Sequence, residues 1–326
     1  MPHAKPLITI TRGLPGNPAA LFPASVSVRI APDEPPPLRD ELLAFIAGSS
    51  AIVCMFNNKV DAEFLDAAGP GLKAVCTFAV GTDNIDLALC RARGIMVCST
   101  PDAVTEGTAN MALALLLAVA RKLVEADRFV RTGEFAKVGN GFPKGWAGMH
   151  LAGQTLLIVG AGRIGRAVAT RAQAFGMSIL YVARSRHIDF EIAPLMARRV
   201  TLEEGLRLAD VVSLHTPLVP ETKHLLNASN LKMLKPTAIV INTARGPVID
   251  EAALADVLFA GKIWGAGLDV FEHEPAVHPM LCMLDNVVMT PHIGSSEMKY
   301  RELMTEMVCQ SALAAAVGAD VPFRLV

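Results

Sequence analysis

The turn Gly160-Ala161-Gly162-Arg163-Ile164-Gly165 constrains this chain more than any other stretch. It follows the apolar run Thr155-Leu156-Leu157-Ile158-Val159 and precedes a helix-like segment through Phe175. In that setting the first glycine permits a tight turn, the second lets the backbone approach a pyrophosphate, and the third lets helix and strand pack closely. The helix N-terminus then presents unpaired N–H groups to phosphate. The bare pattern is weak, because glycine pairs also end helices and strands. The flanking strand and helix make it a dinucleotide site, and the roughly 150 residues before it leave room for another domain.

The 326 residues are 52% hydrophobic and 19% charged, a globular composition that can bury an extended core. Lys plus Arg number 30 against 31 for Asp plus Glu, a net charge of -1. No global positive field recruits nucleic acid or an anionic membrane, so neither is expected as a partner. Cys54, Cys76, Cys90, Cys98, Cys282 and Cys309 show neither CxxC nor zinc-ribbon spacing. They read as reduced, cytosolic thiols. Met1 to Arg12 lacks the apolar core of a signal peptide. The longest apolar run, Met111 to Ala120, is too short to span a bilayer. A cytoplasmic protein is expected.

Strand-like and helix-like runs alternate in both halves, as in parallel sheets. Strands are expected at Leu7 to Thr11, Val26 to Ile30, Ala51 to Phe56, Lys73 to Phe78 and Met96 to Thr100. A second set is expected at Thr155 to Val159, Ser178 to Ala183, Val211 to His215, Ala238 to Thr243, Gly265 to Val270 and Val287 to Thr290. Between them lie an apolar helix from about Val104 to Val130 and an aperiodic, glycine-rich stretch from Thr132 to Gly153. A final helix runs from about Ser295 to Val317.

Three polar residues stand at the ends of expected strands, where open α/β sheets place ligands. Arg245 offers a planar fork of donors suited to a carboxylate, although a simple ion pair would use the same residue equally well. His292 titrates near neutrality if unperturbed, so it can exchange the proton of a carbonyl or hydroxyl. Glu274 can hold that imidazole and favour its charged form. A lone histidine is more often structural, so the reading rests on the constellation. Glu272, His273, Glu274 and His278 invite a metal reading. A loop containing Pro275 and Pro279 does not give the helical i, i+4 face of HExxH zinc sites, and no metal is expected.

The chain resembles the D-isomer-specific 2-hydroxyacid dehydrogenases, and within them the glyoxylate and hydroxypyruvate reductases. The resemblance rests on Val80-Gly81-Thr82-Asp83-Asn84-Ile85-Asp86, the glycine turn, His215-Thr216-Pro217-Leu218-Val219-Pro220-Glu221-Thr222 and Ile241-Asn242-Thr243-Ala244-Arg245-Gly246. It extends through Gly265-Ala266-Gly267-Leu268-Asp269-Val270-Phe271-Glu272 and Thr290-Pro291-His292-Ile293-Gly294-Ser295. It implies an α/β protein of two doubly wound parallel-sheet domains, a flavodoxin-like substrate domain and a Rossmann nucleotide domain, with a cleft between them. The substrate domain would be discontinuous, residues 1–100 plus 296–326, and the nucleotide domain would span 101–295.

The same resemblance implies that Arg245 binds a 2-oxo acid, that His292 is the acid/base and that Glu274 orients and charges it. Backbone N–H groups around Val80 and Gly81 would grip the substrate carboxylate. Hydride would pass from the nicotinamide to the carbonyl carbon while His292 protonates the developing alkoxide. Thr108, Ala244 and Asp269 would lie near the nicotinamide. Gly160, Gly162, Arg163, Ile164, Gly165, His215, Thr216, Pro217, Thr243, Arg245, His292 and Gly294 complete the cofactor set implied by these motifs.

The chain departs from the family at three places. NAD-preferring relatives carry an acid at the end of the second nucleotide-domain strand, where this chain has Ala183 followed by Arg184, Ser185 and Arg186. Those donors suit a 2′-phosphate, so NADP(H) is the expected cofactor, with NAD(H) possible. Asn110 stands where many relatives carry an acid. The loop from Gly139 to Trp146 has no clear counterpart. In the family this region wraps a partner subunit, and Trp146 either approaches the neighbour's site or anchors its own loop. The expected activity is reduction of glyoxylate or hydroxypyruvate to the D-2-hydroxy acid by a homodimer. The alternatives are another acid, such as 2-ketogluconate, D-lactate or 3-phosphoglycerate, or a cofactor-sensing binding protein.

Overall fold

The structure is a computed structural model that describes residues 5–139, 141 and 143–326. The chain divides into two compact units, Met1–Val104 with Ser296–Val326, and Thr105–Ser295. The first holds strands β1 (Leu7–Ile10), β2 (Ser27–Ile30), β3 (Ala51–Cys54), β4 (Ala74–Thr77) and β5 (Met96–Cys98). They form one parallel sheet in the order β2-β1-β3-β4-β5, the flavodoxin-like order.

Strands β3 and β4 are buried along their whole length. A strand covered on both faces must be apolar at nearly every position, which is why these segments read as continuous apolar runs. Ile52, Cys54, Val75 and Val97 meet the helices Arg39–Phe45, Ala62–Ala68 and Leu87–Ala92 on one face. Asp61 and Asp86 cap the last two by accepting the N–H of Phe64 and Leu89, each worth about 1 kcal/mol. Alternate strand residues point to the opposite face. There the C-terminal helix Met298–Val317 packs on β3 and β4. It buries Met304, Val308, Ala312 and Ala316 along one stripe.

The second unit holds β6 (Thr155–Val159), β7 (Ser178–Val182), β8 (Arg198–Arg199), β9 (Val211–Leu214), β10 (Ile239–Asn242), β11 (Gly265–Leu268) and β12 (Val287–Met289). All are parallel, in the order β12-β11-β10-β9-β6-β7-β8. This is the Rossmann order with an extra edge strand. Leu157, Val159, Val212, Leu214, Val240 and Leu268 face one core. Leu156, Ile158, Val211, Ile239 and Ile241 face the other. Each fully buried aliphatic side chain contributes about 2 kcal/mol.

Two expectations are corrected here. The sheet has seven strands rather than six, because β8 is only two exposed arginines long and carries no periodic signal. The single helix expected from Val104 to Val130 is two, Thr105–Ala120 and Leu123–Arg131, bent by 63°. The first is buried against β10, β11 and β12, which explains its apolar sequence. It ends because Lys122 takes a left-handed conformation, φ 53°, and Met149 N–H satisfies the Ala120 carbonyl. Lys122 Nζ donates to Gly145 O and sits 5.7 Å from the centre of the Trp264 ring. The second helix has no buried residue. No single helix among the described residues is long and apolar enough to cross a membrane.

The aperiodic, glycine-rich stretch after Thr132 contains a short helix, Glu134–Lys137. Trp146 packs on Phe129, ring centres 5.2 Å apart, so it anchors its own loop. Asn140 and Phe142 of that loop, and Met1 to Ala4 of the N-terminal segment, lie outside the described residues. Asn110 accepts a hydrogen bond from Arg171 at 2.9 Å, and Arg171 also pairs with Glu106. This ties the helix Thr105–Ala120 to the helix Arg163–Ala174.

Candidate active site

Chain order reverses beside β6, with β7 on one side and β9 on the other. The carboxyl ends of β6 and β9 therefore open the crevice in which such sheets bind ligands. The glycine turn occupies it. Gly160 has φ +104°, and a Cβ there would lie 2.6 Å from His215 O, so no larger residue fits the turn. A Cβ on Gly165 would collide with Gly160 O and lie 2.9 Å from Ile158 Cγ2, which sets how closely the helix Arg163–Ala174 approaches β6. A Cβ on Gly162 would meet nothing within 4 Å. Gly162 caps that helix without a side-chain hydrogen bond, which leaves its first N–H groups to an incoming anion. Arg163 is exposed beside them, and Ile164 packs on the core.

The opposite wall presents polar groups that lack partners. Thr216 Oγ1 and Thr243 Oγ1 are buried with no hydrogen bond, and an unsatisfied buried hydroxyl costs about 1–3 kcal/mol. A bound dinucleotide would satisfy both, so this crevice suits one. Pro217 is exposed next to Thr216. His215 pairs Nε2 with Ser213 Oγ at 2.8 Å, and burial pushes its imidazole down to about 3, so it stays neutral. At the end of β7, Arg184 and Ser185 are exposed, and Arg184 has no side-chain partner among the described residues. Arg186 pairs with Glu191 at 2.5 Å. Arg199, which sequence reasoning missed, donates to the carbonyls of Ala183 and Arg184 at 2.9 Å and braces this turn.

Past β9 the remaining strands deliver the other residues. Arg245 follows β10, and Asn242 fixes its turn by accepting Ala244 N–H and donating to Arg245 O. Asp269, at the end of β11, is 1% exposed. Its Oδ1 accepts Thr290 Oγ1 at 2.6 Å and Ile293 N–H at 2.9 Å, and its Oδ2 accepts Gly294 N–H at 2.7 Å. Thr108 lies alongside Gly294: a Cβ there would sit 3.6 Å from Thr108 Cγ2.

These bonds hold the turn after β12, in which His292 takes φ 54°. A non-glycine residue in that region costs about 1–3 kcal/mol and persists only where its surroundings fix it. His292 Nδ1 meets Glu274 Oε2 at 2.8 Å, and Glu274 Oε1 accepts Phe271 N–H at 3.0 Å. Burial works to raise the Glu274 carboxyl. The His292 hydrogen bond and charge, the Phe271 N–H and the Arg245 charge outweigh it and hold Glu274 below the usual carboxylate range. Val80 and Gly81 follow β4 in the other unit. Among the described residues, no group of three or more His, Cys, Asp or Glu side chains is arranged to hold a metal ion.

A Rossmann sheet with a glycine turn at its switch point, and an arginine and a carboxylate-paired histidine along the same edge, defines a dinucleotide-dependent oxidoreductase. The family model for the D-isomer specific 2-hydroxyacid dehydrogenase NAD-binding domain matches residues 113–294. The chain belongs to this family and is an NAD(P)-dependent oxidoreductase. It is 46% identical over 323 residues to a glyoxylate reductase of Thermococcus onnurineus, covering 99% of this chain and 96% of the relative. The solved structure of the TT0316 protein from Thermus thermophilus superposes with a TM-score of 0.90 at 42% identity, covering 98% of this chain and 100% of that one. An NADPH-dependent glyoxylate/hydroxypyruvate reductase from Sinorhizobium meliloti, solved with NADP and malonate, gives a TM-score of 0.85 at 31% identity, covering 99% and 97%.

Proposed function

We propose that this enzyme reduces a small 2-oxo acid, glyoxylate or hydroxypyruvate, to the D-2-hydroxy acid, with NADPH as the favoured reductant. The 2.8 Å bond between His292 Nδ1 and Glu274 Oε2 carries the reading, because it leaves Nε2 as the proton-exchanging nitrogen. When bound, the reduced nicotinamide supplies the hydride. His292 protonates the oxygen of the developing alkoxide, and Glu274 holds the imidazole in place and balances its charge. Arg245 binds the substrate carboxylate through its planar fork and aligns the carbonyl. The family resemblance gives the backbone N–H groups of Val80 and Gly81, which follow β4, the same class of ligand, a carboxylate. The names of the relatives favour glyoxylate and hydroxypyruvate over the other acids of the family.

Gly160, Gly162, Gly165, Arg163 and Ile164 would hold the pyrophosphate of a bound dinucleotide together with His215, Thr216 and Pro217. Thr243, Ala244, Asp269, Thr108 and Gly294 would help hold its nicotinamide half. Coenzyme choice rests on the end of β7. Ala183 offers no carboxylate to the ribose hydroxyls, and the exposed Arg184 and Ser185 suit a 2′-phosphate; Arg186 joins them only by giving up Glu191. A panel of 2-oxo acids assayed with both coenzymes tests this. We expect kcat/KM with NADPH to exceed that with NADH, and Arg184→Ala to lower the NADPH value by roughly 10–100-fold while sparing NADH. A clear NADH preference would overturn the coenzyme assignment.

Exposed apolar surface also supports a homodimer. Thr105–Ala120 is buried within its own unit, and the exposed apolar side chains sit further on, at Leu123, Val124, Val130 and Phe135. A second copy of the chain covers them. Sedimentation at micromolar concentration should give the mass of a dimer, and a monomer would refute this.

A further inference from the structure

We infer that Glu251 is a positioning residue for proton transfer, clamping both ends of the loop that carries Glu274. The inference rests on the acid/base reading of the Glu274 and His292 pair. Glu251 opens the helix Glu251–Phe259 and is only 8% exposed. Its Oε2 accepts Glu272 N–H at 2.6 Å and its Oε1 accepts His278 N–H at 2.7 Å. One carboxylate therefore fastens the backbone on either side of Glu274. The grip is reciprocal, because Glu272 Oε2 accepts Glu251 N–H at 3.2 Å.

The other side of the clamp is also built. Glu272 Oε1 meets His224 Nε2 at 2.6 Å, and His224 holds a left-handed conformation, φ 50°, with its N–H on Pro247 O. Gly246, next to Arg245, abuts the Phe271 carbonyl so closely that any Cβ would collide with it. The turn of Arg245 and the loop of Glu274 are thus packed as one piece, with Glu251 beneath. Glu272, His224, His273 and His278 are the titratable neighbours of this corner, and Arg245 and His292 face Glu274 itself. Burial tends to raise Glu272, but His224, the Glu251 N–H and His273 outweigh it and hold it below the usual range. Glu272 therefore keeps its charge through neutral pH.

Catalysis by a histidine needs the ring held close to its productive geometry. An amide at 251 can accept one backbone N–H and must turn its own donor toward the other, so Glu251→Gln breaks half the clamp without changing its size. We expect kcat for 2-oxo acid reduction to fall about 10-fold or more, with KM and NADPH affinity, read by fluorescence titration, changed less than about threefold. The alkaline limb of the kcat profile should move to lower pH, in the same direction as is expected for Glu274→Gln. In the Glu274→Gln background the same substitution should add less than about threefold.

An unchanged kcat in Glu251→Gln, or an undiminished loss on top of Glu274→Gln, would refute the clamp. Full activity in Glu274→Gln would instead remove the acid/base reading beneath it. Glu251→Asp carries the same cycle if the glutamine variant does not fold. It keeps the charge but reaches only one backbone N–H, so it should fall between wild type and Glu251→Gln, and wild-type kcat would refute the clamp.

Discussion

Replacing His292 by asparagine is expected to lower kcat for 2-oxo acid reduction by roughly 10²–10⁴-fold, the range that a positioned acid contributes. NADPH affinity should stay within a few fold, because the phosphate cradle lies at the glycine turn on another strand. Asparagine is among the residues that tolerate a left-handed backbone, so the turn held by Asp269 should survive the change. The loss can then be assigned to chemistry rather than to folding.

The pH behaviour follows from the partner. Glu274 sits below the usual carboxylate range in the folded chain. Its stabilisation of the pair is therefore complete above the ordinary carboxylate value and is lost only as pH falls through its lower folded value. Across neutral pH Glu274 stays ionised and keeps its hold on the His292 ring. Steady-state rates from pH 5 to 9, with single-turnover NADPH oxidation, check this. Wild-type kcat in His292→Asn would discard the mechanism.

Arg245→Lys should be nearly as damaging, despite keeping the charge. A lysine places one ammonium where the guanidinium offers a planar fork, so it cannot hold a carboxylate through two parallel bonds. Truncating a buried, hydrogen-bonded charge pair costs about 2–5 kcal/mol, and the lower part of that range corresponds to roughly 10²-fold in kcat/KM. The loss should appear in both KM and kcat, since the carboxylate grip also aligns the carbonyl. Arg245 Nη1 donates to Ala244 O at 2.8 Å, and Asn242 fixes the same turn, so the backbone itself should hold. A variant whose KM for the oxo acid stays at the wild-type value would show that Arg245 does not bind the substrate.

The parts of this molecule that are legible in the sequence share a physical cause. Strands buried on both faces leave continuous apolar runs, so β3, β4, β6, β9 and β10 announce themselves. Arg245 and His292 stand directly at strand ends, and Glu274 lies in the loop that follows β11. The remainder depends on contacts that no local pattern encodes. Strand β8 is two arginines with no apolar residue of its own, so neither the strand nor the bracing role of Arg199 shows in the sequence. The helix break at Lys122 is met by Met149, whose N–H takes the Ala120 carbonyl, and Lys122 lies against Trp264, far along the chain. Asp250-Glu251 reads only as a helix start, and its grip on residues 272 and 278 exists only once β10 and β11 lie side by side.

The strand order also divides the labour of the nucleotide sheet. The end of β7 and the edge strand β8 lie on one flank of β6, and β9 to β12, with Arg245, Asp269 and His292, lie on the other. On the proposed reading, coenzyme preference and proton chemistry thus occupy separate territories that meet only at the glycine turn. Selection, or an engineer, can exchange one without retuning the other, and this gives the architecture a modular route to new redox partners.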